Sequence, residues 1–476
     1  MRVFGATSLA LSLLLYVVPT SSVADEFVLR SGYKFNEYPQ DRLRFIPTVE
    51  STPVVPDETR EEQHAFYTEL EYRFSKSLGD FLTLEGLFFA QAHVGRINPV
   101  GLQTDDMPIS ALSFSDNYYF GATFPEVYLR GEAENFTLDF GFINPVYGNS
   151  SIPIADVFAK SRQFVGMRKS EDASTELRQG NLGLRLNTFV GDGELTLIYM
   201  PDIPELHKFS NFGDRAYLRY DRDTASGSYG VFALHQTRDN YDGPYTAILD
   251  VFCAECTDFN VPAIRETENT SVGVQFDAGI SDSLTNYGEA LLSSKTSKFI
   301  VTQTGPITGV NQKADANAVS YRRHSNGPYL KFMLGAQYSF TTTDLVRFEF
   351  IHDQNGYSKA EKDAWLGLLD QSLRLRSDQL YGDLRDFNHN FGTFSQNYVF
   401  WNYERRMGRK VDNVLSVGQY VSIDDGSFLT FGGYSHAISD RISLNVRGTF
   451  STGRRFSDFG SLGERSSLSI FAEITC

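Results

Sequence analysis

Few strings in this chain have residue types that could do chemistry. His324-Ser325-Asn326-Gly327 sets a base beside a hydroxyl, the ingredients of nucleophilic acyl transfer. Successive side chains of an extended strand point to opposite faces, however, so adjacent His324 and Ser325 are poorly set for the hydrogen bond such a pair needs. Cys253 and Cys256 form a CxxC. In an exported protein this pair can close a disulfide, whereas redox chemistry of the thioredoxin kind calls for a βαβ pattern that does not surround it. Thr257 stands where haem attachment would need histidine. His64, His93, His207, His235, His352, His389 and His436 are scattered without metal-ligand spacing. The chain therefore does not read as an enzyme, and it calls for no cofactor and no metal.

The other reactive groups are charges, and these follow a pattern. Between Phe81 and His93, Leu82, Leu84, Phe88, Ala90 and Ala92 share one face of an extended segment, while Thr83, Glu85, Gln91 and His93 share the other. Val127 and Leu129 oppose Glu126, Arg130 and Glu132, and Phe136, Leu138, Phe140 and Phe142 oppose Thr137 and Asp139. Leu182, Leu184 and Leu186 oppose Arg185, and Ile442, Leu444 and Val446 oppose Arg441, Asn445 and Arg447. A period of two with one apolar face is the mark of a strand exposed to different media on its two sides. The polar face collects Glu85, Arg130, Arg185, Arg215, Arg219, Arg347, Glu349, Arg441 and Arg447 as candidate pore-lining residues. Counting also Arg73 and Lys331, and Glu69, Glu71, Glu132, Asp139, Asp277, Glu404 and Glu473, that face carries nine basic and nine acidic positions, a balance that disfavours passage of a polyanion and favours a weakly selective pore.

The elements that must position these charges come next. Short connections near 75–80, 133–135, 190–193, 222–227, 279–283, 341–343, 406–411 and 437–440 alternate with long ones near 36–65, 94–123, 143–180, 201–213, 237–269, 293–328, 355–396 and 451–465. Only the link near 422–425 is short where a long one is due. Alternating segments joined by short turns and long loops in rotation predict an all-β, transmembrane antiparallel β-barrel. The count is about eighteen strands, bounded by sixteen and twenty, with long extracellular loops and short periplasmic turns. No internal repeat of the propeller kind is present.

The start of the chain fits export. Arg2, the apolar run from Leu9 to Val18 and the small-x-small site Ser22-Val23-Ala24 read as a signal peptide over 1–24, leaving 25–476 as the barrel. No stretch is long and apolar enough to be a transmembrane helix. The net charge of −16, without a basic block, argues against nucleic acid as a partner. Abundant aromatics, 39 Phe and 25 Tyr, suit a barrel with an apolar outside.

Two loops carry further signals. The stretch from Ile143 to Gly180 holds Asp156, Lys160, Arg162, Arg168 and Lys169. Folded inward, these would place opposing charges across a constriction; left outside, they would be an ordinary solvated loop. After Tyr357, Ser358-x-x-Glu361 is a capping box, and Ala364, Leu368, Leu369 and Leu373 recur at helical spacing. That helix would either cross the mouth as a lid or stiffen an outer loop.

Four stretches, in order, carry a family resemblance. They are Tyr147-Gly148 with Ile154-Ala155-Asp156-Val157-Phe158, then Leu197-Ile198-Tyr199-Met200-Pro201, then Phe348-Glu349-Phe350 with Asn355-Gly356-Tyr357-Ser358, and last Asp425-Gly426-Ser427. Together they resemble the large proteobacterial outer-membrane porins related to the alginate-export channels. Leu468, Ile470, Ala472, Ile474 and Cys476 resemble the terminal signal read by the outer-membrane assembly machinery, with Cys476 where an aromatic residue is usual. His324-Ser325-Asn326-Gly327 is similar to the motif of outer-membrane phospholipase, which has one residue between its His and Ser. The resemblance implies a protein of the Gram-negative outer membrane, surrounded by its lipid, that passes small hydrophilic solutes by diffusion. Export of a secreted polysaccharide is the second reading, and a barrel sheath around an electron-transfer partner the third. The sequence names neither the solute nor an oligomeric state.

Overall fold

The computed structural model describes residues 26–37, 62–95, 110–115, 118–145, 180–201, 203, 214–237, 268–294, 298–323, 327–391, 395–408, 413–454, 457–459 and 466–475. In chain order the strands are β1 Glu26–Glu37, β2 Glu62–Ser77, β3 Leu82–Gly95, β4 Ser110–Ser115, β5 Tyr118–Ala133, β6 Phe136–Ile143 and β7 Asn181–Val190. They continue as β8 Gly193–Met200, β9 Arg215–Thr224, β10 Gly227–Gln236, β11 Asn269–Ser281, β12 Leu284–Ser293, β13 Phe299–Gln303 and β14 Val319–Arg323. The last are β15 Tyr329–Ser339, β16 Asp344–Asp353, β17 Asn397–Met407, β18 Asn413–Ser422, β19 Phe428–Ser439, β20 Ile442–Thr452 and β21 Ser466–Thr475.

Each strand pairs antiparallel with its neighbours in sequence, apart from two local additions. Strand β4 lies only along β5, with Ser110 opposite Thr123, and β13 with β14 form a separate hairpin. The remaining strands make a closed 18-strand wall, and it is sealed where β1 meets β21, Val28 opposite Thr475 and Glu37 opposite Ser466. One end of the wall carries tight turns such as 134–135, 191–192, 225–226, 282–283 and 440–441; the other carries the longer connections and the link 423–427. We call these the turn end and the loop end. Gly191 shows why the turns look as they do: its φ of +61° is a left-handed conformation open to glycine at no steric cost.

The outward face is apolar around the whole circumference. Phe140, Leu197, Tyr199, Leu218, Val231, Val272, Val274, Leu334, Phe348, Leu444 and Ile470 all point out and stay exposed, Val272 to 51%. Their sequence neighbours Asp139, Ile198, Met200, Arg219, Phe232, Ser271 and Glu349 point in and are buried. An apolar exterior of this extent needs a lipid surround. The closed ladder meets the other demand of lipid, because it leaves no strand edge unpaired. No helix of the described residues is long and apolar enough to cross a membrane.

Among the described residues three helices belong to the loop end: α1 Gln312–Asn317, α2 Lys359–Arg374 and α3 Asp378–Phe391. The capping box read from the sequence is present at α2, where the Glu361 N–H donates to Ser358 Oγ and the Ser358 N–H to the Glu361 carboxylate at 2.8 Å. Trp365, Leu366, Leu368 and Leu369 of α2 pack with Leu380, Tyr381 and Leu384 of α3 and with Ile307, Ala318 and Val319 beside α1. Asp315 pins the connection before α1 by accepting from the N–H groups of Thr308 and Gly309 at 2.8 and 2.7 Å. These hydrogen bonds, that from Thr308 first, hold its carboxyl below the usual carboxylate range. The loop end thus has a folded helical unit with its own small core.

Candidate pore lining

The inner face of the wall divides by level. Toward the turn end it is a chain of ion pairs. Asp139, fully buried, accepts from Arg130 Nε at 2.8 Å and from Arg185 Nη2 at 2.5 Å, so one carboxylate serves two guanidinium groups. Arg130 also reaches Glu85 at 3.2 Å, and the Tyr128 hydroxyl donates to Glu85 at 2.8 Å. The parity of β3, β5, β6 and β7 places all five side chains inside, and register sets them level: Arg130 lies opposite Asp139, and Asp139 opposite Arg185. Across the seam, Arg30 bridges Glu71 at 2.7 Å and Glu473 at 2.6 Å, joining β1 to both neighbours. On β9, Arg219 closes a fork on Asp221 at 2.5 and 2.8 Å. On β12 and β16, the Tyr287 hydroxyl donates to the fully buried Glu349 at 2.7 Å. Arg347 sits 6.0 Å from the Tyr287 ring and donates to Gln337. Arg447 lies over the Phe471 ring at 5.2 Å.

Of the pore-lining residues read from the sequence, Glu85, Arg130, Arg185, Arg215, Arg219, Arg347, Glu349 and Arg447 therefore face inward. Arg215 stands apart from the charged level, buried at the loop end of β9. Arg441 is a correction: it lies exposed in the two-residue turn between β19 and β20, one step beyond the strand that was to carry it. The chain reverses at Asp440-Arg441, so the period of two ends before Arg441 can join the wall. Asp156, Lys160, Arg162, Arg168 and Lys169 lie outside the described residues, as do Cys253, Cys256 and the His324-Ser325-Asn326 string. Arg30, Lys34, Asp221 and Glu289 escaped the sequence reading although each faces in. The alternation Val28, Arg30, Gly32, Lys34 was the available signal for two of them.

Starting at Tyr287 and at Phe232, which lies opposite Arg219, and continuing toward the loop end, the inner face gains an apolar component. Ile143, Ile198, Met200, Tyr217, Phe232, Leu234, Tyr287, Leu291, Met333 and Ile351 form one buried apolar cluster, with Tyr128 and Tyr398 packed against it. Runs such as Leu197-Ile198-Tyr199-Met200 and Phe332-Met333-Leu334 are apolar on both faces, the pattern of a strand buried on both sides. The polar inner face read from the sequence thus also carries an apolar cluster. Beside this cluster Phe400, Tyr420 and Phe431 pack with ring centroids 4.7 to 6.1 Å apart, and the Phe431 ring occupies the space above Gly418 that a Cβ would fill.

A segment of the β20–β21 connection, Ser457–Phe459, reaches this aromatic group from the rim. Phe459 lies 6.3 Å from Tyr398 and 6.5 Å from Tyr420, ring to ring. Asp458 accepts from Tyr398 Oη at 2.6 Å, the Ser395 N–H at 2.9 Å and Lys362 Nζ of α2 at 2.5 Å. The Asp458 N–H in turn donates to Asp425 in the 423–427 link, and Phe459 N–H to Ser427 Oγ. Burial alone would raise the Asp425 carboxyl. Hydrogen bonds from Ser427 and Asp458 and the nearby Lys362 ammonium outweigh it and hold the carboxyl below the usual carboxylate range.

Five inward-facing amides have buried polar atoms with no partner among the described residues: both ends of Gln91, the Asn181 amide nitrogen, and the carbonyl oxygens of Asn187, Gln275 and Asn402. Buried polar groups without protein partners are ordinarily met by water. They are spread over β3, β7, β11 and β17, most of the way round the wall.

No protein-family model matches the chain, and no curated relative matches it. Solved structures similar to it include OccAB1 of Acinetobacter baumannii, 9% identical with a TM-score of 0.49, covering 95% of this chain and 96% of that one. OccK8 (OprE) of Pseudomonas aeruginosa is 7% identical with a TM-score of 0.48, covering 95% and 98%. OmpF of Salmonella typhi, in complex with daunomycin, is 10% identical with a TM-score of 0.40, covering 95% and 97%.

Proposed function

We propose that the protein is an outer-membrane channel through which small hydrophilic solutes diffuse passively. The observation that carries this reading is the inversion of the wall. An 18-strand closed sheet presents apolar side chains outward and, inward, paired charges toward the turn end together with amides whose buried polar atoms have no partner among the described residues. Eighteen strands enclose a lumen wide enough for water unless it is filled. Tight turns at one end and long connections at the other match the periplasmic and extracellular ends of such barrels. On this reading residues 1–24 are removed on export, and the terminal strand β21 engages the assembly machinery.

The inner charges are interleaved by sign and neutralise one another locally, so the channel discriminates by size and only weakly by charge. That balance also speaks against a polyanion exporter of the alginate type. Single-channel conductance of the purified protein in a planar bilayer, under a salt gradient, tests the proposal. Steady conductance with a small reversal potential is expected; a silent protein would overturn it, and strong anion selectivity would restore the exporter reading.

A further inference from the structure

Lys362 is the charge whose position the proposed function does not account for. It lies one turn into α2, its side chain almost wholly buried, yet no core of α2 needs an ammonium. Burial of an ammonium is tolerated only where opposite charges and hydrogen bonds compensate it. Here Asp458 accepts from Nζ at 2.5 Å and Asp425 stands at 3.8 Å, one carboxylate from each of two different connections. The helix that carries Lys362 is itself fixed. Its capping Glu361 takes a salt bridge from Lys298 at 2.7 Å, and Trp365 and Leu369 sit in the helical core.

The segment that Lys362 holds starts on β20 but ends against Tyr398 and Tyr420, on the inner faces of β17 and β18. Strands lie about 4.8 Å apart, so reaching β17 from β20 takes the segment roughly 14 Å around and over the mouth. Three anchors converge on the Asp458 carboxylate, the Lys362 ammonium, the Tyr398 hydroxyl and the Ser395 N–H, while the Asp458 and Phe459 N–H groups hold the segment to Asp425 and Ser427 of the link beneath.

We infer that Lys362 is a positioning residue that straps Ser457–Phe459 across the inner rim at the loop end and thereby sets the size limit of the channel. The inference rests on the diffusion-channel reading. Lys362 need not touch the solute; it acts through Asp458, and Phe459 is the group presented to the lumen.

The test uses the full-length mature protein in planar bilayers and in liposomes swelling against neutral sugars and polyethylene glycols of graded size. Three variants are compared: Lys362→Met, which removes the charge at similar length; Tyr398→Phe, which removes one hydroxyl; and Phe459→Ala. Heat-modifiable mobility in detergent identifies variants that have folded. The expected result is a larger conductance and a size limit shifted upward in K362M and F459A, with a smaller shift of the same sign in Y398F. Folded variants that keep the conductance and size limit of the unaltered protein would overturn the inference and leave the channel reading standing. If the unaltered protein is silent and K362M conducts, the strap closes the lumen, which upholds the positioning role while the open-channel reading fails. If all are silent, both fail.

Discussion

The turn half and the loop half of the lumen are built on the same strands with the same alternation, yet they solve opposite problems. In the turn half, inward positions include Arg130, Asp139, Arg185 and Glu349, each tied to a neighbouring strand by a short polar contact, and Arg219, which pairs with Asp221 on its own strand. In the loop half, inward positions on the same or adjoining strands include Ile143, Met200, Tyr217, Leu291 and Met333, buried against each other, with the buried charges Arg215 and Glu289 set among them. A wall facing water can afford charge only if each charge has a partner within register reach, which antiparallel pairing supplies on every second residue. A wall facing packed protein needs apolar volume instead. The difference teaches that face parity alone does not tell wet from dry; the residue types along one face do.

The largest effect should come from breaking the charged half. Asp139→Ala leaves Arg130 and Arg185 without their shared carboxylate and should cost roughly 3–5 kcal/mol, as loss of one member of a buried ionic group does. Urea unfolding in detergent micelles reads this, and a shift of ion preference toward anions should accompany it. In the apolar half, Met333→Ala empties a fully buried site and should cost about 2–5 kcal/mol while ion preference stays put. Equal shifts of ion preference in both variants would erase the distinction between the halves. Ser358→Ala removes one side of the α2 capping box and should lower stability by about 1 kcal/mol. Hydrogen exchange should show that loss in α2 and not in the wall. The smallest effect is acid loosening of the rim. Asp425, faced by Lys362, Asp458 and Ser427, has a depressed folded pKa, so its stabilisation is complete above the ordinary carboxylate value of about 3.9 and is lost as pH falls through the folded value. Conductance noise should therefore stay constant from pH 7 to about 5 and rise only below about 4.

Much of the wall was legible in the sequence because its rule is local. A period of two, punctuated by turn residues such as Gly191-Asp192, needs no knowledge of distant contacts, and the count of eighteen follows from it. The helix after Tyr357 was legible for the same reason, since Ser358 and Glu361 answer each other within one turn. The apolar inner face was not, because Ile198 and Phe232 sit in runs that read equally well as lipid-facing strand. The strap was beyond reach in a different way. Asp458 and Lys362 are 96 residues apart, and nothing near either one names the other. The short link at 423–427, out of step with the rotation of connections, was the one visible trace: Ser457–Phe459 lies over it, and a longer link would fill that place.

The seam between β1 and β21 has a consequence for how the molecule comes into being. Arg30 and Glu473 meet across a separation of 443 residues, so the last of the described strands is the partner of the first. Joining chain ends that far apart carries a loop-closure entropy of about 5 kcal/mol, set against a seam of only ten paired residues. Until it closes, two bare strand edges are open to wrong partners, in an environment where a missing backbone hydrogen bond is costly. A chain with this topology cannot be inserted piecemeal and left to drift shut. Its slow step is expected to be circular closure, and a protein catalyst that shields both edges at once would act on that step.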